Sequence, residues 1–160
     1  MRVLVVYGTK HGGTKGIAEW LGSSLEELGH DVTVSAIADT GPIDDYEAVV
    51  IGGALYIMRW HGDARRFVKR NVAKLQQRPV WLFSSGPLDD TATQDIIPPV
   101  RFVRRAMERI GARGHMTFGG RLEPGVSNAK LPTGDWRDRE QVSAWAEEIS
   151  SQLQHLKVSS

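Results

Sequence analysis

Residues 3–14 read VLVVYGTKHGGT, an apolar run that passes directly into a glycine-rich loop. Four consecutive apolar residues at positions 3–6 predict a strand that is covered on both faces, as in a parallel sheet between two layers of helices. Next comes an apolar stripe at helical spacing, formed by Ile17, Leu21, Leu25 and Leu28, and Gly29 marks the end of this helix. This order of strand, loop and helix predicts the first unit of a parallel α/β fold.

The same pattern recurs along the chain. Further buried strands are predicted at residues 49–51 and 80–83, a short fifth strand at residues 115–118, and helical stripes at residues 64–75, 103–110 and 142–153. Residues 32–36 alternate between apolar and polar, which is typical of a strand near a sheet edge. Residues 38–46 are too short and too rich in Gly, Pro and Asp to form a helix. The chain is therefore predicted to be an α/β three-layer sandwich around a five-stranded parallel sheet.

Composition limits the function classes. With 160 residues, the chain has the size of one domain that buries roughly 70% of its unfolded surface, and we expect residues 1–154 to form it, with residues 155–160 as a frayed tail. The absence of cysteine excludes disulfides, thiol nucleophiles and Cys-based metal sites, and makes a reducing cytoplasm the expected compartment. A net charge of +1 gives no bulk attraction to nucleic acid, and no metal site is predicted.

The loop at residues 8–14 has the composition of a phosphate site. Unpaired N–H groups and hydroxyls at a helix start favour an anion, and Gly12 and Gly13 permit its close approach. The order Thr14-Lys15 reverses the lysine and hydroxyl residue of a nucleoside triphosphate P-loop, and the dinucleotide string G-x-G-x-x-G is absent. Phosphate binding is favoured over a plain glycine-rich turn capped by Thr14.

These loops resemble those of the flavodoxin superfamily. In residues 9–14, a hydroxyl residue is followed by two variable positions, Gly, any residue and Thr, as in the flavodoxin loop that wraps the phosphate of FMN. Residues 49–56 and 83–87 are similar to the loops on either side of the flavin ring. The resemblance implies the flavodoxin-like strand order 2-1-3-4-5, FMN as cofactor (with a deazaflavin as the alternative) and contacts from Thr9, Lys10, His11, Gly12, Gly13, Thr14, Ala54, Leu55, Tyr56, Ile57, Ser84, Ser85, Gly86, Pro87 and Leu88.

Residues 52–68 and 135–149 also resemble the menaquinone-dependent protoporphyrinogen oxidase branch of that superfamily. This resemblance implies an FMN-dependent oxidoreductase of haem biosynthesis that transfers hydride or electrons through flavin N5. A porphyrinogen or a quinone is then the expected small-molecule partner, with at most peripheral membrane contact. That branch has a long apolar and basic insertion after its fifth strand, whereas residues 121–132 are short and polar here.

The alternative is a flavodoxin-type electron carrier whose partner is a redox protein and which performs no substrate chemistry. Flavodoxins that act purely as carriers are strongly acidic, unlike this chain. A cluster of basic residues near the expected flavin also distinguishes it from them, namely Arg59, Arg65, Arg66, Lys69 and Arg70.

The sequence offers few candidate side chains for chemistry on a substrate. Arg59 and His61 are candidates, because an arginine fork matches carboxylates and histidine titrates near neutral pH, although a solvated loop is the simpler interpretation for each. Tyr56 and Trp60 are candidates to contact the flavin ring, and Trp136 to cover its edge. The remaining tryptophans are expected to pack in or against the core, and the arginines between positions 101 and 109 to form the solvated face of a helix.

Overall fold

The computed structural model of the chain describes residues 1–9, 13–56, 59–123 and 133–159. Its strands are β1 (Arg2–Gly8), β2 (Asp31–Ala36), β3 (Ala48–Tyr56), β4 (Arg59–Trp60), β5 (Val80–Ser85), β6 (Gly114–Phe118), β7 (Arg121–Leu122) and β8 (Gly134–Asp135). Its helices are α1 (Gly13–Glu27), α2 (Gly62–Arg70), α3 (Val72–Gln76), α4 (Thr91–Gln94), α5 (Arg101–Ile110) and α6 (Arg139–Ser159).

The five long parallel strands lie in the order β2-β1-β3-β5-β6, which confirms the predicted order 2-1-3-4-5. β1 lies between β2 and β3, and β2 forms one edge, as its alternating pattern predicts. Between β2 and β3 the described chain forms a single 3₁₀ turn, Ile37–Asp39, so the predicted loss of a helix there is also confirmed. Two short antiparallel pairs complete the strands, β4 against the end of β3 and β7 against β8.

The sheet separates two apolar cores. Val3 and Val5 of β1 face the core beneath α1 and α6, whereas Leu4 and Val6 face the core beneath α2, α3 and α5. Strand residues alternate between faces, so a strand with apolar residues at every position serves both cores. This is the predicted three-layer sandwich. The chain beyond residue 154 continues α6 to Ser159.

Aromatic packing fixes the centre of the sheet. Phe83, Phe118 and Trp145 form a mutually tilted trio, with ring centroids 5.6–6.1 Å apart. Trp81 and Trp145 are buried, as predicted, and Trp20 packs partly buried against the same core. None of the helices in the described ranges combines the length and apolarity needed to cross a bilayer.

Gly52, in the middle of β3, gives a direct test of this packing. A β-carbon at residue 52 would overlap the Phe83 ring. We therefore expect Gly52→Ala to lower the free energy of unfolding by about 1–3 kcal/mol, as overpacking of a filled core does. Urea denaturation measures this change.

The matched control is Gly41→Ala, because a β-carbon at residue 41 meets no described atom within 4 Å. The double variant Gly52→Ala/Phe83→Leu should lose less stability than the two single variants added together, since the smaller side chain leaves room for the methyl group. Equal stabilities for Gly52→Ala and Gly41→Ala would show that the ring yields without cost.

Candidate functional site

The loop after β1 leads into the N-terminus of α1, where Gly13 and Thr14 are both buried. The Thr14 side chain is 1% exposed, and its hydroxyl oxygen Oγ1 has no hydrogen-bond partner among the described residues. Burying a hydroxyl without a partner costs free energy, so this group is suited to a ligand that accepts a hydrogen bond from it. The first turn of a helix adds unpaired N–H groups and positive potential, which favour an anion. Thr9 is half-buried at the other end of the loop.

Arg137 braces this loop from the opposite end of the sequence. Its side chain is 9% exposed, and its Nη1 donates to the carbonyl oxygen of Gly13 at 3.4 Å. The guanidinium also bonds to Asp135 through Nε and Nη2 at 2.9 and 2.8 Å, and lies 4.8 Å from the ring centroid of Trp20. These bonds lower the pKa of the Asp135 carboxyl. Sequence reasoning missed Arg137, because it lies 124 residues from Gly13 and belongs to no phosphate motif.

The second part of the site is the hairpin of β3 and β4. Leu55 pairs with Trp60, and Tyr56 pairs with Arg59. Ala54 is buried and its carbonyl accepts a hydrogen bond from the His61 N–H at 2.8 Å. Tyr56 is half-buried, with its ring centroid 5.9 Å from that of His61, and Arg59 is exposed. The sequence placed Ala54, Leu55 and Tyr56 beside a ligand, and the structure brings them to the carboxyl edge of the sheet.

Trp60 is a core residue, which corrects the expectation that it contacts a flavin ring. It is 1% exposed, and its indole N–H donates to the Phe83 carbonyl at 3.2 Å. A β-carbon at Gly53 would fall within 2.4–2.7 Å of the indole, so the ring covers the backbone of β3. Trp60 therefore supports the hairpin from beneath and has no exposed face on which a ligand could stack.

His61 links the hairpin to α2. Its Nδ1 accepts a hydrogen bond from the Asp63 N–H at 3.1 Å, so the ring caps the N-terminus of the helix. The side chain is 18% exposed, and burial lowers the pKa of His61 more than Asp63 raises it. A neutral ring that accepts at Nδ1 carries its proton on Nε2. His61 is thus positioned as a neutral hydrogen-bond donor at the edge of the site.

The third part is the segment after β5. The Gly86 N–H donates to the Phe118 carbonyl at 3.2 Å, and the Gly120 N–H donates to the Pro87 carbonyl at 2.9 Å. A β-carbon at Gly86 would lie 2.8 Å from Cβ of Leu55, so the two loops are in contact. Leu88 follows, half-buried. Backbone groups of this loop are held in place by β6 and by the residues after it.

Ser84 and Ser85 are buried at the end of β5. The Ser84 hydroxyl is directed away from the candidate site and lies 3.0 Å from Nε2 of His115 on the neighbouring strand. Burial lowers the pKa of His115 to about 4, so this ring is neutral at physiological pH. The Ser84 hydroxyl is thus already engaged within the fold.

Lys10, His11, Gly12 and Ile57 were also predicted to contact a ligand, and they lie outside the described residues. The described chain contains no cluster of three or more side chains suited to a metal ion. A surface groove of about 490 Å³ lies at the other end of the sheet, between Arg113 before β6 and His155 near the end of α6. The groove is distant from the carboxyl edge where the three loops meet, so we do not assign it to the same site.

Comparison with known proteins agrees with this geometry. A family model described as a flavodoxin domain matches residues 4–126. Over 86 residues the chain is 30% identical to protoporphyrinogen IX dehydrogenase [quinone] of Escherichia coli strain K12, a segment that is 52% of this chain and 48% of that protein. The chain thus spans about half the length of the curated relatives it matches.

Solved structures match over almost the entire chain. An archaeal flavodoxin superposes with a TM-score of 0.70 at 19% identity, covering 97% of this chain and 100% of that one. Oxidised flavodoxin 1 from Bacillus cereus gives 0.65 at 15% identity, covering 94% and 98%. Rubredoxin oxygen:oxidoreductase from Desulfovibrio gigas gives 0.69 at 16% identity, covering 96% of this chain and 36% of that one. At these identities the structures support the fold alone.

The buried pair of Ser84 and His115 generates a pH prediction. Because the folded state holds the pKa of His115 near 4, against 6.5 for the free side chain, the unfolded chain takes up a proton first as the pH falls. The stability that this neutral ring confers is complete above pH 6.5 and is lost between pH 6.5 and 4, by about 3 kcal/mol at 1.36 kcal/mol per pH unit. Urea unfolding at pH 8 and pH 4 measures the loss.

The matched variant is His115→Gln, because an amide is able to bond to a hydroxyl as the imidazole does but does not titrate. Its loss of stability between pH 8 and pH 4 should be smaller than that of the natural chain by the same amount. Identical pH profiles for the two proteins would contradict a depressed pKa at this residue.

Proposed function

The chain belongs to the flavodoxin domain family, and from this premise we propose that it binds FMN and acts as a flavin-dependent oxidoreductase. One observation carries the proposal most directly. Thr14 presents a buried hydroxyl with no partner among the described residues, at a helix start, where the first N–H groups have no partner within the helix and favour an anion. A terminal phosphate would satisfy both.

In this proposal each loop has a separate task. Thr9, Thr14 and the backbone of the intervening loop bind the phosphate, and Arg137 holds the loop by its bond to the Gly13 carbonyl. Residues 54–57 and 84–88 flank the flavin ring and exclude water from it. FMN, when bound, supplies hydride or electron transfer. The protein supplies placement and the local electrostatic field.

The finer proposal is an enzyme similar to protoporphyrinogen IX dehydrogenase, and it is supported by the 30% identity over 86 residues. A reduced small molecule such as a porphyrinogen would then be the donor and a quinone the acceptor. Arg59 is exposed at the rim of the hairpin, where its guanidinium is available to a carboxylate. His61 is suited to donate a hydrogen bond from Nε2 while its Nδ1 caps α2.

A second candidate function is an electron carrier that exchanges electrons with another protein and turns over no substrate. It is favoured by the two hydrogen bonds of His61. The backbone N–H donates to the hairpin and the ring Nδ1 accepts from α2, so the residue holds these two elements together. A group so constrained positions the backbone. A carrier needs no further acid or base.

Thr14→Val tests the phosphate site. The substitution preserves shape and removes the hydroxyl, so the affinity for FMN should fall by about 1.5–3 kcal/mol, the value of a hydrogen bond to a charged group. This corresponds to about a 10- to 150-fold rise in Kd. Riboflavin, which lacks the phosphate, should bind equally to both proteins. Quenching of flavin fluorescence measures both affinities.

The same variant has a second expected effect that separates binding from folding. Without FMN, Thr14→Val should be as stable as the natural chain or more stable, because it removes a buried polar group that has no partner among the described residues. Ser23→Ala, an exposed position of the same helix, is the control and should alter neither affinity nor stability. Equal FMN affinity for Thr14→Val and the natural chain would refute this loop as the phosphate site.

The two redox functions make opposite predictions for turnover. The FMN-loaded enzyme should oxidise protoporphyrinogen IX with menadione as acceptor under anaerobic conditions, whereas a carrier should bind FMN and show no turnover above free FMN. Absorbance of the porphyrin product follows the reaction. If purified protein neither contains FMN nor binds added FMN or a deazaflavin, both redox proposals fail.

A further inference from the structure

Charge is distributed unevenly over the two faces of the molecule. Helices α2 and α5 together carry eight basic and two acidic side chains, a net charge of +6, while the whole chain carries +1. On the opposite face, α1 and α6 carry three basic and six acidic side chains, a net charge of −3. An almost neutral protein is therefore strongly polarised.

The basic side chains of α2 and α5 lie on the same face of the sheet. Both helices pack on the same core, through Phe67 and Val68 of α2 and Val103 of α5. Lys69 of α2 lies 5.8 Å from the ring centroid of Phe102 of α5, so the side chains of the two helices meet. We call this surface the basic face, and it consists of Arg65, Arg66, Lys69, Arg70, Arg101, Arg104, Arg105 and Arg109.

The arginines near the start of α5 do not stabilise the helix that carries them. Arg101 and Arg104 occupy the first turn of α5, where the helix dipole disfavours a cation and no acidic residue is present. Arg101 and Arg105 are four residues apart, as are Arg105 and Arg109, a spacing at which like charges repel. The four arginines of α5 are exposed and make no ion pair with a described residue. Local stability therefore does not account for Arg101, Arg104 and Arg105, whereas Arg109 lies in the last turn, where the dipole favours a cation.

The basic face begins at the candidate site. α2 starts directly after His61, and α5 runs from the same carboxyl edge of the sheet, since helices of a parallel α/β fold run opposite to its strands. Arg59 on the hairpin extends the positive charge to the rim of the site. A partner bound here would lie beside the loops that are proposed to hold the flavin.

We propose that the basic face docks an acidic protein and brings it to the flavin edge of the site. The inference rests on the proposed redox function and names the class of its protein partner. A surface composed of seven arginines and one lysine matches clustered carboxylates, which guanidinium groups bind through paired hydrogen bonds. Charges of this kind also steer a partner during encounter and raise its association rate.

An acidic protein fits this face better than a membrane or a nucleic acid. The apolar residues of both helices are turned into the core, among them Phe67, Val68, Val103 and Ile110, so neither helix offers an apolar stripe to a lipid surface. No aromatic side chain on these helices is exposed to stack with bases, since Phe67 is buried and Phe102 lies half-buried beneath Lys69.

The test measures association of the protein with an acidic plant-type ferredoxin as probe, at low and high salt, by stopped-flow fluorescence. Association should be at least 10-fold faster at 20 mM than at 300 mM NaCl. The variant Arg101→Gln/Arg104→Gln/Arg105→Gln should lose most of this salt dependence. Because these arginines repel one another, the variant should also have an unchanged or higher Tm.

The control Lys15→Gln/Arg139→Gln/Lys157→Gln removes three positive charges from the opposite face and should associate with ferredoxin as the natural chain does. Equal losses for both triple variants would show that only net charge matters and would overturn the proposal. So would a fall in Tm of the α5 variant that accounts for its loss of binding. Arginine-dependent binding to phosphatidylserine vesicles or duplex DNA, without binding to ferredoxin, would assign the face to a different occupant and overturn it as well.

Association is measured with and without added FMN, so that the two proposals fail separately. A protein that binds ferredoxin through α5 but never binds FMN retains its docking surface and loses its proposed redox function. A protein that binds FMN but associates with ferredoxin independently of the α5 arginines retains the redox function and loses the docking surface.

Discussion

The complete burial of β1 is the constraint on which the rest of the structure depends. β1 has apolar residues facing both cores and a paired strand on each side. The chain therefore leaves β1 at the carboxyl edge of the sheet and returns along α1. That route places the N-terminus of α1, with its unpaired N–H groups, at the centre of the sheet edge. The hydroxyl of Thr14 is buried there by the same packing. Fold and candidate site are thus consequences of one strand.

Local patterns were sufficient to predict this much of the molecule. The periods of apolar residues predicted the five long strands and four helical segments, because a residue's face depends only on its neighbours a few positions away. The segment predicted at residues 64–75 is divided at Asn71 into α2 and α3. The glycine and hydroxyl residues after β1 indicated an anion site for the same reason. The strand order came from resemblance to a family, since pairing between distant strands leaves no local signal.

What the sequence did not predict depends on contacts between distant residues. Trp60 is of a residue type that often stacks on ligands. Because Gly53 has no side chain, however, the indole of Trp60 fills the space above it and donates a hydrogen bond to the Phe83 carbonyl. Arg137 bonds to the Gly13 carbonyl only because β7 and β8 pair and return the chain to α1. The four arginines of α5 were expected as an ordinary solvated face, and their relation to α2 emerges only when both helices lie on one core.

The two faces of the sheet therefore serve different purposes. On the face of α1 and α6, the half-buried Arg137 forms an ion pair with Asp135 and donates a hydrogen bond to the loop at Gly13. On the face of α2 and α5, the arginines of α5 stay exposed, without ion pairs to described residues, and Arg101 and Arg104 lie near the helix start, where the dipole disfavours a cation. A charge that stabilises its own fold tends to be paired, whereas one that is left unpaired at a local cost is available to another molecule. By that criterion the proposed acidic partner, and not α5 itself, accounts for Arg101, Arg104 and Arg105.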